Sequence, residues 1–282
     1  MLPVKEDSRM QNKPIGVFDS GVGGLTCVKE LRKLLPNEDI IYFGDTGRVP
    51  YGNRSNQTIN KYARQDADFL ISKNVKAIIA ACGTVSSVAT SLGNSLDVFY
   101  TGVLEPTAKA AVNASKNGKI AVIGTTATIK SGSYEREIMS INSEIKIITQ
   151  DCPLFVPLVE NGFVDESNAI TRLTVEHYLK NIKLSGADTL ILGCTHYPII
   201  KHIIRDYMGD NVALIDSGSA TAEYCAEYLS KNNLLNKKQS AGTTEFYVSD
   251  TTEGFSMLAG LFLNEKVSDN VYHIDIGTLA AK

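Results

Sequence analysis

The 282-residue chain contains no tryptophan, no block of like charge, and no apolar run of the roughly 18 residues that a membrane-spanning helix needs. Its net charge of −3 is small, so the composition indicates neither a nucleic-acid-binding nor a membrane-binding surface. Residues 1–14 lack the apolar segment of a secretory signal, and we expect them to form a short disordered tail. The remainder, with 43% hydrophobic and 21% charged residues in the whole chain, is typical of a globular protein with a sizeable core.

Cysteine is sparse: five residues lie far apart and form no CxxC pair. An odd number at such spacing indicates free thiols in a reducing compartment, not a disulfide framework or a zinc knuckle, so we expect a cytoplasmic protein. The chain has no HExxH motif, and no lysine lies in a context typical of a pyridoxal Schiff base. We therefore expect neither a metal nor an organic cofactor.

Short apolar runs alternate with amphipathic stretches along the chain. Residues 15–18, 40–43 and 77–81 have the pattern of buried strands, with helical periodicity between them. The same order starts again at residues 119–124 and leads to a further apolar run at residues 189–192. This alternation predicts an α/β protein with mainly parallel sheets and helices on both faces of each sheet.

The two halves have similar lengths, and each runs from a turn rich in glycine or threonine to a cysteine. This weak internal repeat predicts two similar three-layer α/β lobes with the active site in the cleft between them. We expect the first lobe to comprise residues 15–105 and 215–282, and the second lobe to comprise residues 106–214.

Two cysteines, Cys82 and Cys194, each end an apolar strand directly before a helical stretch. Ligands of α/β sheets bind beyond the carboxyl ends of the strands, and a helix N-terminus there stabilises a thiolate. Two thiols that face one cleft can remove a proton from one face of a stereocentre and return it to the other, so we predict acid–base roles for this pair. Cys27 and Cys225 lie on apolar helix faces as core residues, and Cys152, in a loop, is expected to be inert.

The first strand is followed by a glycine-rich loop, Asp19-Ser20-Gly21-Val22-Gly23-Gly24. The loop lacks the Gly-Lys-Ser/Thr ending of a Walker loop and the G-x-G-x-x-G order of a dinucleotide fold, and its carboxylate would repel a phosphate. We expect its N–H groups to receive the carboxylate of a small zwitterion, which leaves Asp19 free to bind a base or an ammonium group. Capping of the next helix by Asp19 or Ser20 is compatible with this interpretation.

Four further residues have a suggestive context. His196 lies two residues after Cys194 and is a candidate for tuning that thiol. Glu160 lies in a predicted loop from which it could reach the site. Tyr51 and Gly52 close a second glycine-rich loop, where their N–H groups could bind a carboxylate, although a tyrosine at such a position is often a packing residue.

Several long strings closely resemble the glutamate racemase family: residues 15–25 (IGVFDSGVGGL), 49–52 (VPYG) and 192–198 (LGCTHYP). Residues 102–106 and 123–129 fit the same family. The resemblance covers most of the chain. It implies two similar α/β lobes with the site between them, and cofactor-independent racemisation of glutamate that supplies D-glutamate for peptidoglycan.

The same resemblance implies a role for each matching residue. Cys82 would deprotonate the D-enantiomer with Asp19 as its partner, and Cys194 would deprotonate the L-enantiomer with His196 as its partner. The implied substrate-binding residues are Ser20, Pro50, Tyr51, Gly52, Gly83, Thr84, Thr125, Glu160 and Thr195. The expected partner is the small-molecule substrate glutamate, and a homodimer is expected.

One residue departs from the family pattern, because Gly83 stands where the family usually has asparagine. A lost hydrogen bond to a charged group costs about 1.5–3 kcal/mol, so the departure bears on affinity and substrate choice, although both thiols are retained. Three alternatives stay open: an aspartate racemase, a non-catalytic amino-acid-binding protein, and a degenerate racemase relative with an interaction role.

Overall fold

The computed structural model describes residues 9–267 and 269–279. Within these ranges the chain forms two parallel β-sheets, as the alternation predicts. The strands are β1 (Ile15–Asp19), β2 (Ile40–Gly44), β3 (Ala77–Ala80), β4 (Phe99–Gly102), β5 (Lys119–Gly124), β6 (Lys146–Asp151), β7 (Thr189–Leu192), β8 (Ala213–Asp216), β9 (Thr244–Val248) and β10 (Val271–His273). The first sheet has the order β10-β9-β2-β1-β3-β4, the second has the order β6-β5-β7-β8, and neighbouring strands are parallel throughout.

Helices connect the strands, as parallel pairing requires. The α-helices are α1 (Leu25–Leu34), α2 (Asn56–Ser72), α3 (Gly83–Val88), α4 (Leu104–Ala114), α5 (Thr126–Lys130), α6 (Ser133–Ile141), α7 (Phe155–Glu160), α8 (Ala169–Ser185), α9 (Lys201–Met208), α10 (Ser217–Lys231), α11 (Thr252–Leu263) and α12 (Ile276–Leu279). Short 3₁₀ helices cover Thr46–Arg48, Tyr51–Asn53, Leu92–Ser95 and Tyr197–Ile200. In the described ranges, no helix combines the length and the apolar character needed to cross a bilayer.

The central strands of the first sheet are covered on both faces. Val17 and Ile79 pack in the same hydrophobic cluster as the buried side of α1. Phe18 and Ile78, their neighbours along β1 and β3, pack in a second cluster with α2. Because successive side chains of a strand point to opposite faces, this division shows helices on both sides of the sheet.

The two sheets share part of their packing. One hydrophobic cluster contains Ile15 of β1 and Leu25 of α1, and it also contains Leu192 of β7 and Ile203 of α9. Helix α10 follows β8 of the second sheet and packs against α1, the helix that follows β1 of the first sheet. This shared core holds the carboxyl ends of β3 and β7 on one common cleft.

The structure differs from the sequence predictions at the point where the chain leaves the second sheet. Residues 213–216 form β8, which pairs with β7, so residues 215 and 216 belong to the second sheet. The chain returns to the first sheet only at β9 and β10. Strand β4 also has no counterpart in the predicted elements; it has four residues, of which only Thr101 is buried. The division into lobes stays a prediction.

The described part of the N-terminal segment is ordered, in contrast to the disordered tail expected over residues 1–14. Residues 9–11 form a helical turn, and the side chain of Gln11 is buried. Gln11 Nε2 donates to the carbonyl oxygen of Asn233 (2.8 Å), and the Gln11 carbonyl oxygen accepts from Lys76 Nζ (2.8 Å). A buried ammonium group needs such acceptors, which explains the order of this segment. Residues 1–8 lie outside the described residues.

Candidate active site

Cys82 and Cys194 line a single cavity of about 300 Å³ between the two sheets. Cys82 lies two residues beyond β3 and is the N-cap residue of α3. Cys194 lies two residues beyond β7 in the other sheet. The structure thus places both thiols where the sequence predicts them, at strand ends that meet in one cleft. Their catalytic roles stay a prediction.

The other predicted site residues line the same cavity. They are Asp19, Ser20, Pro50, Tyr51, Gly52, Gly83, Thr84, Thr125, Glu160, Thr195 and His196. These residues come from loops of both sheets, and no local sequence pattern could have shown that they meet.

Cys82 is buried, with its sulfur atom 3.5 Å from the Ser20 hydroxyl. Burial raises the pKa of the Cys82 thiol to about 12, and the nearby Asp19 carboxylate adds to this increase. Interactions with Ser20 and the N–H group of Val85 oppose it. The stabilisation of a thiolate expected from the helix N-terminus is therefore outweighed by burial, and Cys82 is a neutral thiol in this structure.

Asp19 ends β1 and is buried behind the glycine-rich loop. Its Oδ2 accepts a hydrogen bond of 2.8 Å from the N–H group of Gly21. Burial raises the pKa of Asp19, while the charge of His196 and the N–H groups of Gly21 and Gly24 lower it. The N-cap position of α1 is occupied by Gly24 without a side-chain hydrogen bond, so neither Asp19 nor Ser20 caps this helix.

His196 links the second thiol to a carboxylate. Its Nδ1 lies 3.9 Å from the sulfur atom of Cys194, and its Nε2 lies 2.9 Å from Glu160 Oε1 at the end of α7. Burial by itself would lower the pKa of His196, but its interactions with Cys194 and Glu160 raise the pKa to about 10. His196 is therefore a cation at neutral pH and lies beside the thiol that it was predicted to tune.

Threonine hydroxyls from both sheets meet on another wall of the cavity. Thr84 Oγ1 lies 3.4 Å from Thr125 Oγ1, and Thr125 Oγ1 lies 3.0 Å from Thr128 Oγ1. Thr125 also accepts from the N–H group of Thr128 as the N-cap residue of α5. Hydroxyls and free N–H groups at a helix start are suited to bind a carboxylate.

Tyr51 contributes to the cavity wall, but its hydroxyl lies elsewhere. The hydroxyl contacts the carboxylates of Asp45 and Asp66 in the protein interior, beside the buried guanidinium of Arg48. Burial raises the pKa of Asp66, and the charge of Asp45 adds to the increase. The tyrosine side chain thus anchors the loop that carries Pro50, which agrees with the packing interpretation of this residue.

Sequence reasoning missed a mostly apolar part of the cavity wall. The additional lining residues are Val49, Thr126, Cys152, Pro153, Val156, Pro157 and Gly193, beside Gly21 of the glycine-rich loop that was already expected at the site. Cys152 follows β6 as Cys194 follows β7, and this shared strand-end position is the signal that could have placed it near the site. Cys152 is buried, and burial raises its pKa.

The described residues contain no group of three or more His, Cys, Asp or Glu side chains that could hold a metal ion. The cavity offers three thiols, a histidine cation, two carboxylates and several hydroxyls for chemistry. These groups can move protons and can bind a small polar molecule through its charged ends.

The model of the Asp/Glu/Hydantoin racemase family matches residues 25–225, which is more than half of the chain. The chain belongs to this family. Among curated racemase relatives, the glutamate racemase of Geobacter metallireducens is 44% identical over 265 residues, covering 94% of this chain and 97% of the relative.

Solved structures of racemases show the same fold. A glutamate racemase from Francisella tularensis, solved in complex with D-glutamate, is 40% identical with a TM-score of 0.85 and covers 94% of this chain and 97% of its own. A glutamate racemase isoform from Bacillus anthracis is 34% identical with a TM-score of 0.89 and covers 94% of this chain and 98% of its own. The resemblance and the α/β fold class predicted from the sequence are confirmed.

Proposed function

We propose that this protein is a glutamate racemase that interconverts the L- and D-enantiomers by a two-thiol mechanism. The observation that carries the proposal is the presence of Cys82 and Cys194, from different sheets, in one cavity of about 300 Å³. Similarity to glutamate racemases along almost the whole chain supports the choice of substrate.

In the proposed reaction, the thiolate of one cysteine takes the α-proton of glutamate from one face. The electron pair left on the α-carbon spreads into the α-carboxylate, which forms the carbanionic intermediate. The thiol of the other cysteine then donates its proton to the opposite face. The product has the inverted configuration, and the two cysteines have exchanged protonation states.

The surroundings of the two sulfur atoms favour one starting state. Burial holds Cys82 as a thiol by raising its pKa to about 12. The cationic His196 lies beside Cys194 and would stabilise a thiolate there. In this state, Cys194 is the base that deprotonates L-glutamate and Cys82 is the acid that completes D-glutamate.

The carboxylate that receives the developing charge requires hydrogen-bond donors that are already in place. We propose that Thr84, Thr125 and the N–H groups of the loop after β1 supply them. Asp19 and Glu160, both at the cavity, would bind the ammonium group. Binding the two charged ends would leave the α-carbon between the two sulfur atoms.

We also propose that the enzyme supplies D-glutamate for peptidoglycan and that it acts in the cytoplasm. We propose further that it is a homodimer and that each chain has the two lobes predicted from the sequence. The cytoplasmic assignment is supported by the five cysteines, which are all free and buried. The peptidoglycan role is supported by the family membership of the chain.

The decisive experiment measures racemisation of both glutamate enantiomers in deuterium oxide. Circular dichroism reports inversion, and proton NMR reports loss of the α-proton signal. We expect the wild type to invert glutamate and to exchange its α-proton for deuterium. We expect the turnover of Cys82→Ala and of Cys194→Ala to fall by about 10²- to 10⁴-fold or more, because acid–base catalysis contributes a factor in this range. Cys225→Ala is the matched control, because Cys225 is a buried cysteine outside the cavity.

The alternatives give different results in the same assay. An aspartate racemase would invert aspartate in preference to glutamate. A binding protein or a degenerate relative would leave the α-proton of bound glutamate unexchanged. Near wild-type turnover in either single variant would refute the two-thiol mechanism.

A further inference from the structure

The hydroxyl of Tyr51 lies between two carboxyl groups in the protein interior. Its oxygen contacts Asp45 Oδ2 on one side and lies 3.0 Å from Asp66 Oδ2 on the other. Both aspartate side chains are fully buried. A phenol carries one proton, so Tyr51 can donate to only one of the two carboxyl oxygens. The other contact therefore needs a proton that belongs to the carboxyl group itself.

The donors around Asp45 identify this residue as the ionised carboxylate. Its Oδ2 accepts from Arg48 Nε (2.6 Å), and its Oδ1 accepts from the Ser249 hydroxyl (2.7 Å). The Ser249 oxygen accepts from the N–H group of Gly47 (2.9 Å), so the hydroxyl proton is directed toward Asp45. With the phenol proton of Tyr51 added, both oxygens of Asp45 have donors, and such hydrogen bonds favour the charged form.

Asp66 has the weaker set of donors. Its Oδ1 accepts from Arg48 Nη2 (3.0 Å), whereas its Oδ2 faces the Tyr51 oxygen. One guanidinium cannot neutralise two carboxylates, and an uncompensated charge in the interior is costly. Burial and the charge of Asp45 raise the pKa of Asp66, although Arg48 and the Tyr51 hydrogen bond lower it. A proton on Asp66 Oδ2 makes the whole group neutral and supplies the missing donor.

This hydrogen-bonded group holds a loop of the cavity wall. Arg48 and Tyr51 lie on either side of the turn at Pro50, and both side chains reach α2, where Arg48 Nη1 donates to Gln65 Oε1 (2.6 Å) and Tyr51 contacts Asp66. Residues 49–52 line the cavity, and N–H groups of this segment are expected to bind a substrate carboxylate. The position of these N–H groups therefore depends on the contacts behind the loop.

We infer that Asp66 is a positioning residue, which keeps a proton, donates it to the Tyr51 oxygen and so fixes the loop that binds a substrate carboxylate. This inference rests on the proposed function. Asparagine offers the same pattern as a protonated carboxyl group, because its Oδ1 can accept from Arg48 and its Nδ2 can donate to Tyr51. Leucine offers neither contact. Asp66→Asn should therefore retain the loop, and Asp66→Leu should release it.

The kinetic test measures KM and kcat for glutamate in both variants and in Tyr51→Phe, which keeps the backbone N–H group and the ring but loses the hydroxyl. We expect KM to stay within about threefold of wild type in Asp66→Asn and to rise by about 10-fold or more in the other two variants, with kcat changed less than KM. The reason is that a misplaced carboxylate site weakens binding of substrate and transition state alike. Asp68→Leu is the matched control and should have wild-type kinetics, because Asp68 of the same helix pairs with Arg64 at the surface.

Infrared spectroscopy detects the proton itself, since a protonated carboxyl group absorbs at a higher frequency than a carboxylate. The difference spectrum between wild type and Asp66→Asn should contain a band of a carboxylic acid, and the difference spectrum between wild type and Asp68→Asn should lack it. Absence of the band from the first spectrum would show that Asp66 is ionised and would overturn the inference.

Two kinetic results would also overturn it: a KM in Asp66→Asn as high as in Asp66→Leu, or a wild-type KM in a folded Asp66→Leu protein. If Asp66→Leu does not fold, the kinetic decision comes from the other variants, and a wild-type KM in Tyr51→Phe or a KM raised by about 10-fold in Asp66→Asn contradicts the inference. If the wild type fails to racemise glutamate, the proposed function fails by itself. The infrared band then still decides whether Asp66 holds the proton.

Discussion

Replacing Glu160 by glutamine tests how the cavity controls the charge of His196. Glu160 Oε1 lies 2.9 Å from His196 Nε2, and the pKa of the buried histidine is raised to about 10. Glutamine keeps the size and an acceptor oxygen of the side chain but removes the negative charge. The cation then loses an ionic partner, so we expect the pKa of His196 to fall.

The expected size of this fall follows from the exposure of the carboxylate. A hydrogen bond to a charged group contributes about 1.5–3 kcal/mol, whereas exposed ion pairs contribute less than about 1 kcal/mol. The side chain of Glu160 is 40% exposed, so solvent screening places the interaction near 1–1.5 kcal/mol. Since one pKa unit corresponds to about 1.4 kcal/mol, the pKa of His196 should fall by about one unit.

The pKa is measured by NMR titration of histidine side chains in wild type, Glu160→Gln and the control Glu166→Gln, in which an exposed carboxylate is neutralised. Because the pKa of His196 is higher in the folded state than in the unfolded state, binding of its proton stabilises the folded state. This contribution is complete below the unfolded pKa near 6.5, and it is lost as the pH rises through 10. The stability difference between wild type and Glu160→Gln should therefore disappear above pH 10. An unchanged His196 pKa in the variant would refute the role of Glu160.

Two further predictions concern buried charges away from the reacting atoms. Lys76→Met leaves the buried carboxylate of Glu38 without its cation, and urea unfolding should show a loss of about 3–5 kcal/mol. Arg48→Met should cost a similar amount by leaving the buried carboxyl groups of Asp45 and Asp66 without their cation, and it should also raise KM because the guanidinium anchors a loop of the cavity wall. Arg64→Met is the control for both, since its ion pair is solvent-exposed and should contribute less than about 1 kcal/mol. A loss no larger than that of the control would contradict either prediction.

Gly83 shows how the structure changes an interpretation made from sequence. As a departure from the family pattern, it suggested a missing hydrogen bond to the substrate. The structure shows that a side chain at this position would collide with the Gly193 carbonyl oxygen unless the backbones moved apart. The residue thus bears on local packing as well as on affinity.

The strands and the residues that follow them could be predicted because their signals are local. An apolar run that ends in a glycine-rich or cysteine-containing turn specifies a buried strand and a polar strand end without reference to the rest of the chain. The positions of Cys82 and Cys194 followed from this pattern, since ligand sites of parallel sheets lie at the carboxyl ends of strands. Strand β4 was missed because it is short and only partly buried.

The sequence by itself determined which residues stand at the strand ends and the family to which the chain belongs. Only the tertiary structure decided that Cys152 reaches the cavity, that the Tyr51 hydroxyl faces Asp45 and Asp66, and that Cys82 is held as a neutral thiol. The physical reason is that burial and charge at a site depend on groups far apart in sequence, and folding alone brings those groups within a few ångströms of one another.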